Sequence, residues 1–133
     1  MKRLLLLAAT TLIAACGNSE PPVYAESISQ TDGVAIGGYD AVAYHTQSEA
    51  IVGDPSHTVD WEGATWHFAD EENASTFESD PEAYAPAYGG HCAFAYGLGK
   101  DEAGDPTLFD VVDGTLYLNS NPVAQLLWSP DEE

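Results

Sequence analysis

Two segments of the chain alternate apolar and polar residues around a short turn, which is the pattern of a β-hairpin. In residues 57–68 the turn is Glu62-Gly63, and one face carries four apolar residues: Val59, Trp61, Trp66 and Phe68. Residues 108–119 form a second such segment, with Asp113-Gly114 at the turn. Because Asp-Gly suits the two-residue turns of hairpins, and strand residues alternate between faces, the pattern predicts two antiparallel hairpins.

Helix start signals follow the first hairpin. Asp70 is the predicted N-cap, and Glu71 and Glu72 lie in the first turn, where the helix dipole favours acidic side chains. Ala74 and Phe77 then fall on one helical face. The sequence therefore predicts a helix after residue 70 that buries this face.

Two further short helices are predicted from proline positions. Asp80 precedes Pro81, which suits the first helical position, and Pro86 ends this helix. Near the end of the domain, Asn121 is the predicted cap and Pro122 opens a final helix. That helix places three apolar residues on one face: Val123, Leu126 and Leu127.

The remaining segments complete the predicted fold. The alternation of Val42 and Tyr44 within residues 36–44 predicts a leading strand, and residues 96–106 read as an acidic loop. We find no internal repeat of fixed period. The order of strands and helices predicts a single small α+β domain over residues 33–128, made of antiparallel hairpins with two to three short helices, followed by an acidic tail at 129–133.

The first residues have the pattern of a secretory leader. Lys2 and Arg3 are followed by an apolar run over residues 4–15, which is shorter than the roughly 20 residues that span a bilayer. The run ends in Leu-Ile-Ala-Ala-Cys16, which resembles the lipobox of bacterial lipoproteins. This resemblance implies a signal peptide at 1–15, lipidation of Cys16, and a flexible tether at 16–32. With Gly17 after the cysteine, it also implies secretion across the inner membrane and anchoring in the envelope, at the outer membrane facing the periplasm.

Charge narrows the range of partners. The 133-residue chain has a formal charge of −19, and its only basic residues are Lys2, Arg3 and Lys100. From Cys16 onward one lysine stands against all 22 acidic residues, which leaves −21. Such a field repels phosphate backbones and anionic headgroups. We therefore expect no nucleic-acid partner, and we expect membrane contact only through the anchor on Cys16.

The residues best suited to metal binding or catalysis lie in the segment 84–95. Here Cys92 follows His91 and a Gly-Gly pair. With Cys16 acylated, Cys92 has no partner for an internal disulfide. Thiolate and imidazole are ligands for copper or zinc, so a metal site is predicted from Cys92 and His91 with further histidines. The candidates are His67 and His45, with His57 also available.

Two other interpretations of Cys92 stay open at this point. It can be a small buried residue in a non-catalytic interaction module, or the reactive thiol of a redox protein. The sequence has no Cys-x-x-Cys motif and no pair of carboxylates arranged for acid–base chemistry. We therefore expect a protein that is not an enzyme.

Several motifs resemble the YHS domain and the secreted bacterial proteins that contain it. These are Gly38-Tyr-Asp-Ala-Val-Ala-Tyr44, the first hairpin with Phe77, Asp80-Pro81 and Tyr84, the segment 84–93, and Asp105-Pro with 113–119. The resemblance covers roughly residues 33–128. It implies a small α+β fold, and it carries no settled biochemical role.

The chain departs from the metal-binding members of that family. Metal-binding modules of that family carry a three-cysteine site, with one cysteine in the first strand and two around the helix start. The matching positions here are Ala43, Ala69 and Asn73, none of which is a soft ligand. A metal would therefore need a different site that uses Cys92.

Overall fold

The computed structural model describes residues 28–128. The predicted signal peptide, Cys16, residues 17–27 and the acidic tail at 129–133 lie outside the described residues. Ile28 is buried in the core, so the described chain packs onto the domain from its first residue, within the stretch assigned to the tether. Between residues 28 and 128, none of the helices is long and apolar enough to cross a membrane.

The predicted α+β class is confirmed, although the described residues hold more helices than the two to three expected. Six strands and five short helices alternate along the chain, together with two single-turn 3₁₀ segments at Ile36–Gly38 and Ala87–Gly90. In chain order the elements are β1 (Gln30–Thr31), β2 (Val34–Ala35), α1 (Ala41–Thr46), β3 (Asp54–Trp61), β4 (Ala64–Phe68), α2 (Glu71–Ser79), α3 (Pro81–Tyr84), α4 (Ala93–Gly97), β5 (Asp105–Val112), β6 (Thr115–Asn119) and α5 (Pro122–Leu127).

Both predicted hairpins are confirmed. β3 and β4 pair antiparallel with Trp61 opposite Ala64, and β5 and β6 pair with Val112 opposite Thr115. All four turn residues have positive φ, which matches the type I′ turn that a two-residue hairpin favours: Glu62, Gly63, Asp113 and Gly114. The first hairpin belongs to a four-stranded sheet of order β1-β2-β4-β3, and the second forms its own two-stranded sheet.

The helix after the first hairpin is confirmed as well. The Asp70 side chain accepts a hydrogen bond from the Asn73 backbone N–H, and Ala74 and Phe77 are buried. α3 does begin at Pro81, but Asp80 makes no side-chain cap bond, so its predicted capping role is wrong. Asp80 is at the same time the residue that ends α2, with φ −156° and ψ 76°, and its backbone N–H bonds back to Phe77.

The predicted leading strand is wrong, because Val42 and Tyr44 lie in helix α1. The reason is Asp40, whose side chain accepts hydrogen bonds from the backbone N–H groups of Val42 and Ala43 and so starts a helix. The predicted loop at 96–106 is also too long. Its first two residues belong to α4 and its last two to β5.

The structure contains an internal duplication that is not visible in the sequence as a repeat of fixed period. The two copies are unit 1 (residues 34–79) and unit 2 (residues 86–128). Each begins with a parallel β-bridge and a left-handed Gly-Gly turn, which a short helix follows. Each then continues with a hairpin, whose strands have eight and five residues, and ends in a capped helix. The octapeptides Gly37-Gly-Tyr-Asp-Ala-Val-Ala-Tyr44 and Gly89-Gly-His-Cys-Ala-Phe-Ala-Tyr96 occupy matching places.

Hydrogen bonds repeat between the two units. The Asp40 N–H donates to the Ile51 carbonyl at 2.8 Å, and the Cys92 N–H donates to the Glu102 carbonyl at 2.7 Å. Each hairpin then begins with Asp-Pro and a hydroxyl residue, whose N–H and hydroxyl both bond the aspartate: Ser56 on Asp54 and Thr107 on Asp105. Cys92 of unit 2 is therefore the positional counterpart of Asp40 of unit 1.

The main hydrophobic core contains residues of both units, and a smaller group of buried residues lies around Cys92 in unit 2. Trp66, Phe68 and Phe77 are fully buried, and the Phe77 ring packs against the rings of both Trp66 and Phe68, with centroids 5.0 Å apart in each pair. Leu116 and Leu118 of unit 2 belong to the same cluster. The Tyr44 hydroxyl crosses between the units and donates to the Pro106 carbonyl. Burial, followed by the charges of Tyr39, Asp105 and Asp40, raises the pKa of Tyr44 well above its usual value of 10.0.

Asp40 is fully buried and accepts four hydrogen bonds from three segments of the chain: α1, the loop after β4, and α2. Besides the two α1 N–H groups, it bonds the Ala69 N–H at 2.9 Å and the Asn73 side-chain amide at 2.8 Å. We expect Asp40→Ala to lower the free energy of unfolding by about 3 kcal/mol or more, because it leaves buried donors without acceptors. Urea unfolding measures this loss.

The matched control for Asp40 is Asp70→Ala. Asp70 also caps a helix, but it accepts one exposed hydrogen bond, so its removal should cost about 1 kcal/mol. Equal losses in the two variants would contradict the central role given to Asp40.

Candidate functional site

The left-handed turn before Cys92 requires glycine. Tyr88, Gly89 and Gly90 have φ values of 56°, 63° and 85°, a run that L-residues rarely adopt. A Cβ on Gly90 would lie 2.5 Å from the Ile36 side chain, which no real contact allows. The turn thus packs unit 2 directly against unit 1. It also fixes the positions of the two residues that follow, His91 and Cys92.

Cys92 is buried beneath a small cleft. None of its surface is exposed, and its buried neighbours are Ala95 of α4 and Ala124 of α5, with half-buried Phe94 packed against them. The Sγ atom donates to the Asn119 side-chain oxygen at 3.6 Å, a distance consistent with a weak thiol hydrogen bond. In this environment the thiol behaves as a small apolar residue.

Asn119 is the polar residue that sequence reasoning missed. It is fully buried at the end of β6, and its oxygen also accepts the Phe94 backbone N–H at 3.1 Å. That second bond fixes the orientation of the amide, and its nitrogen then has no hydrogen-bond partner among residues 28–128. The sequence gives no signal for this burial, because Leu116 and Leu118 occupy the inward positions of β6 and a polar residue at 119 fits the outward phase.

The two units differ in the residues at one matching place, the corner where the short helix of each unit begins next to its capped helix. The carboxylate of Asp40 and the amide of Asn73 in unit 1 correspond to Cys92 and Ala124 in unit 2. The Val42 N–H bonds Asp40, whereas its counterpart, the Phe94 N–H, bonds Asn119. A charged, fully bonded corner in unit 1 is thus a neutral and smaller one in unit 2.

A small cleft lies above this corner of unit 2, between α4 and α5. Its volume is about 210 Å³, and Cys92 belongs to its inner wall. The rim includes Lys100, the one basic residue of the chain after Arg3, and Glu102, which accepts a hydrogen bond from the Ser120 hydroxyl at 3.3 Å.

The structure does not gather the predicted metal ligands around Cys92. His91 pairs with Asp101, with 3.1 Å between Nδ1 and Oδ1. His45 lies in α1 with its Nε2 3.1 Å from the Tyr84 carbonyl, and its ring meets the Tyr84 ring edge-on. His67 lies in β4 beside Gly38. Within the described part of the chain, no three His, Cys, Asp or Glu side chains form a group that can hold a metal ion.

His45 has a second property that can be tested. Burial lowers the pKa of its imidazole below 6.5, and the hydrogen bond to the Tyr84 carbonyl offsets this only in part. Well above pH 6.5 the imidazole is neutral in both the folded and the unfolded states. As the pH falls below 6.5, the unfolded chain takes up the proton first, so this residue's contribution to stability is lost until the pH passes the folded-state pKa.

We therefore predict that His45→Gln removes part of the loss of stability on acidification. Between about pH 7 and pH 5, where an unshifted histidine changes charge, the urea midpoint of the wild type should fall more than that of the variant. The same comparison between about pH 8 and pH 9, where the imidazole is neutral in both states, is the control and should show parallel midpoints. A wild-type slope in His45→Gln would contradict the burial argument.

Comparison with known proteins finds no significant relative of this chain. No protein-family model matches the chain, and neither a curated protein nor a solved structure matches it significantly. Membership in the YHS family therefore stays a prediction that rests on the motifs of the sequence.

Proposed function

We propose that this protein is a lipid-anchored, non-catalytic binding module of the bacterial cell envelope. The anchor and the location rest on the lipobox-like segment that ends at Cys16. The assignment of a non-catalytic module rests on one structural observation. Cys92, the residue best suited to chemistry, is fully buried, and its thiol is hydrogen-bonded to Asn119. A redox thiol needs access and an activating neighbour, and a ligand thiol needs further ligands within reach, whereas a packing thiol needs neither.

The surroundings of Cys92 support this assignment. Its closest polar partner is a neutral amide, and its buried neighbours are alanines. Thiolate chemistry would require a nearby cation or metal to stabilise the negative charge. His91 is paired with Asp101 instead, and Lys100 shares the rim of the cleft with the acidic Glu102, in a chain that carries a large excess of acidic residues.

The test compares metal binding by the reduced protein, expressed from Gly17 onward, with that of its Cys92→Ala variant. Copper(I) and zinc titrations should show no tight one-to-one complex for either protein. The variant should instead lose about 1 kcal/mol of unfolding free energy, since it removes one buried atom and a weak hydrogen bond.

Two outcomes would overturn the proposal. Tight one-to-one copper or zinc binding that Cys92→Ala abolishes would establish the metal site predicted from the sequence. Alkylation of Cys92 in the native protein faster than that of a free thiol at neutral pH would establish a reactive thiol. We expect labelling only as fast as the protein opens.

A further inference from the structure

Helix α5 presents an apolar face to solvent. Val123, Leu126 and Leu127 are 64%, 84% and 57% exposed, and they lie on one face as their spacing predicts. Ala124 is the buried residue of this helix. Isolated exposed apolar residues are normal, but a group on one element is typical of an interaction site.

The duplication supplies an internal comparison for this face. The corresponding helix of unit 1 is α2, where the same positions carry Glu72, Ser75 and Thr76. The hairpin–helix unit therefore forms with polar residues on this face. The apolar residues of α5 are a property of unit 2 and not a requirement of the fold.

α5 is held firmly by its other side. Asn121 caps it through the Ala124 N–H at 2.8 Å, and the Gln125 side-chain amide donates to the Phe109 carbonyl and to the Asp110 carboxylate, both at 3.2 Å. After the helix, the Trp128 ring packs on the Tyr117 ring with centroids 4.5 Å apart. The apolar face is thus presented by a fixed helix.

A groove runs between α5 and the second hairpin. Its volume is about 490 Å³, and its lining combines apolar and acidic groups: Asp110, Val112, Pro122, Gln125, Leu126 and Trp128. The indole face of Trp128 can accept a cation, and the carboxylate of Asp110 lies in the same groove.

Charge decides between the possible occupants. A second copy would bring another strongly acidic chain against this face, since one lysine stands against 22 acidic residues after the leader. A basic partner gains from the same field. Long Lys and Arg side chains can also cover apolar surface with their methylene stems while their charges meet carboxylates.

We propose that the α5 surface (Val123, Leu126, Leu127 and Trp128, with Asp110 in the groove) docks a segment of a partner protein in which apolar side chains are flanked by Lys or Arg. This deepens the proposed binding-module function and rests on it. The apolar side chains of the segment cover the exposed face of α5, and its cations lie over Trp128 and beside Asp110.

The test uses a fluorescently labelled, helix-forming peptide of leucine and lysine, with a leucine–glutamate peptide as its acidic twin. The protein from Gly17 onward should bind the basic peptide, and binding should weaken as salt is added. Leu126→Ser, which introduces the residue found in α2, should weaken binding about tenfold, because a leucine contact is lost. Leu126→Gln is a second variant that preserves helix propensity.

Two controls separate docking from simple charge attraction. Val52→Ser removes an apolar residue of equal exposure to Val123, far from α5 in the sequence, and should bind like the wild type. Leu126→Glu adds an acid, so attraction by charge alone would strengthen binding, whereas docking on the α5 surface would weaken it.

Several results would overturn the proposal. These are absence of binding to the basic peptide, equal binding of the acidic twin, equal losses in Val52→Ser and Leu126→Ser, or self-association of the wild type that Leu126→Ser abolishes. Leu126 does not line the cleft at Cys92. Failure here is therefore distinct from failure of the proposed function, which is read from metal binding and alkylation at Cys92.

Discussion

The first unit depends on one buried carboxylate. Asp40 joins the start of α1, the residue after β4 and the side chain of Asn73 in α2, with two hydrogen bonds on each oxygen. A charge can be buried only when such bonds replace the water it loses. Because its four donors come from α1, from the loop after β4 and from α2, this carboxylate fixes how the helices of unit 1 sit on the first sheet. The rings of Trp66, Phe68 and Phe77 form the hydrophobic core of these elements.

Unit 2 has the same backbone route but no such charge. At the corresponding place Cys92 packs between alanines, and the acceptor for the helix N–H has moved to Asn119 at the end of β6. A thiol fits here because it is small, weakly polar and neutral, and so needs no set of four donors. This accounts for the thiol by packing alone.

The parts of the fold that the sequence predicts well are local. The hairpins at 57–68 and 108–119 depend on alternation and two-residue turns, and the cap at Asp70 depends on the residues directly after it. The strand predicted at Val42 and Tyr44 fails because a single cap, Asp40, changes a period of two into a helix. The duplication is hidden because the Gly-Gly turns are 52 positions apart (37 to 89) and the hairpins 51 (54 to 105). Whether His45, His67 and Cys92 meet is a question of long-range packing, which sequence spacing does not determine.

The two units also explain how an exposed apolar face persists in this chain. The residues of that face gain little from folding, since they remain exposed afterwards, so core stability gives no reason for Val123, Leu126 or Leu127. On a weakly charged protein such a face would favour association between copies. Here the excess of acidic residues opposes that association and leaves the face accessible. The strong acidity and the apolar helix are therefore complementary: the charge keeps identical chains apart, and the same charge attracts a basic chain to the surface that α5 presents.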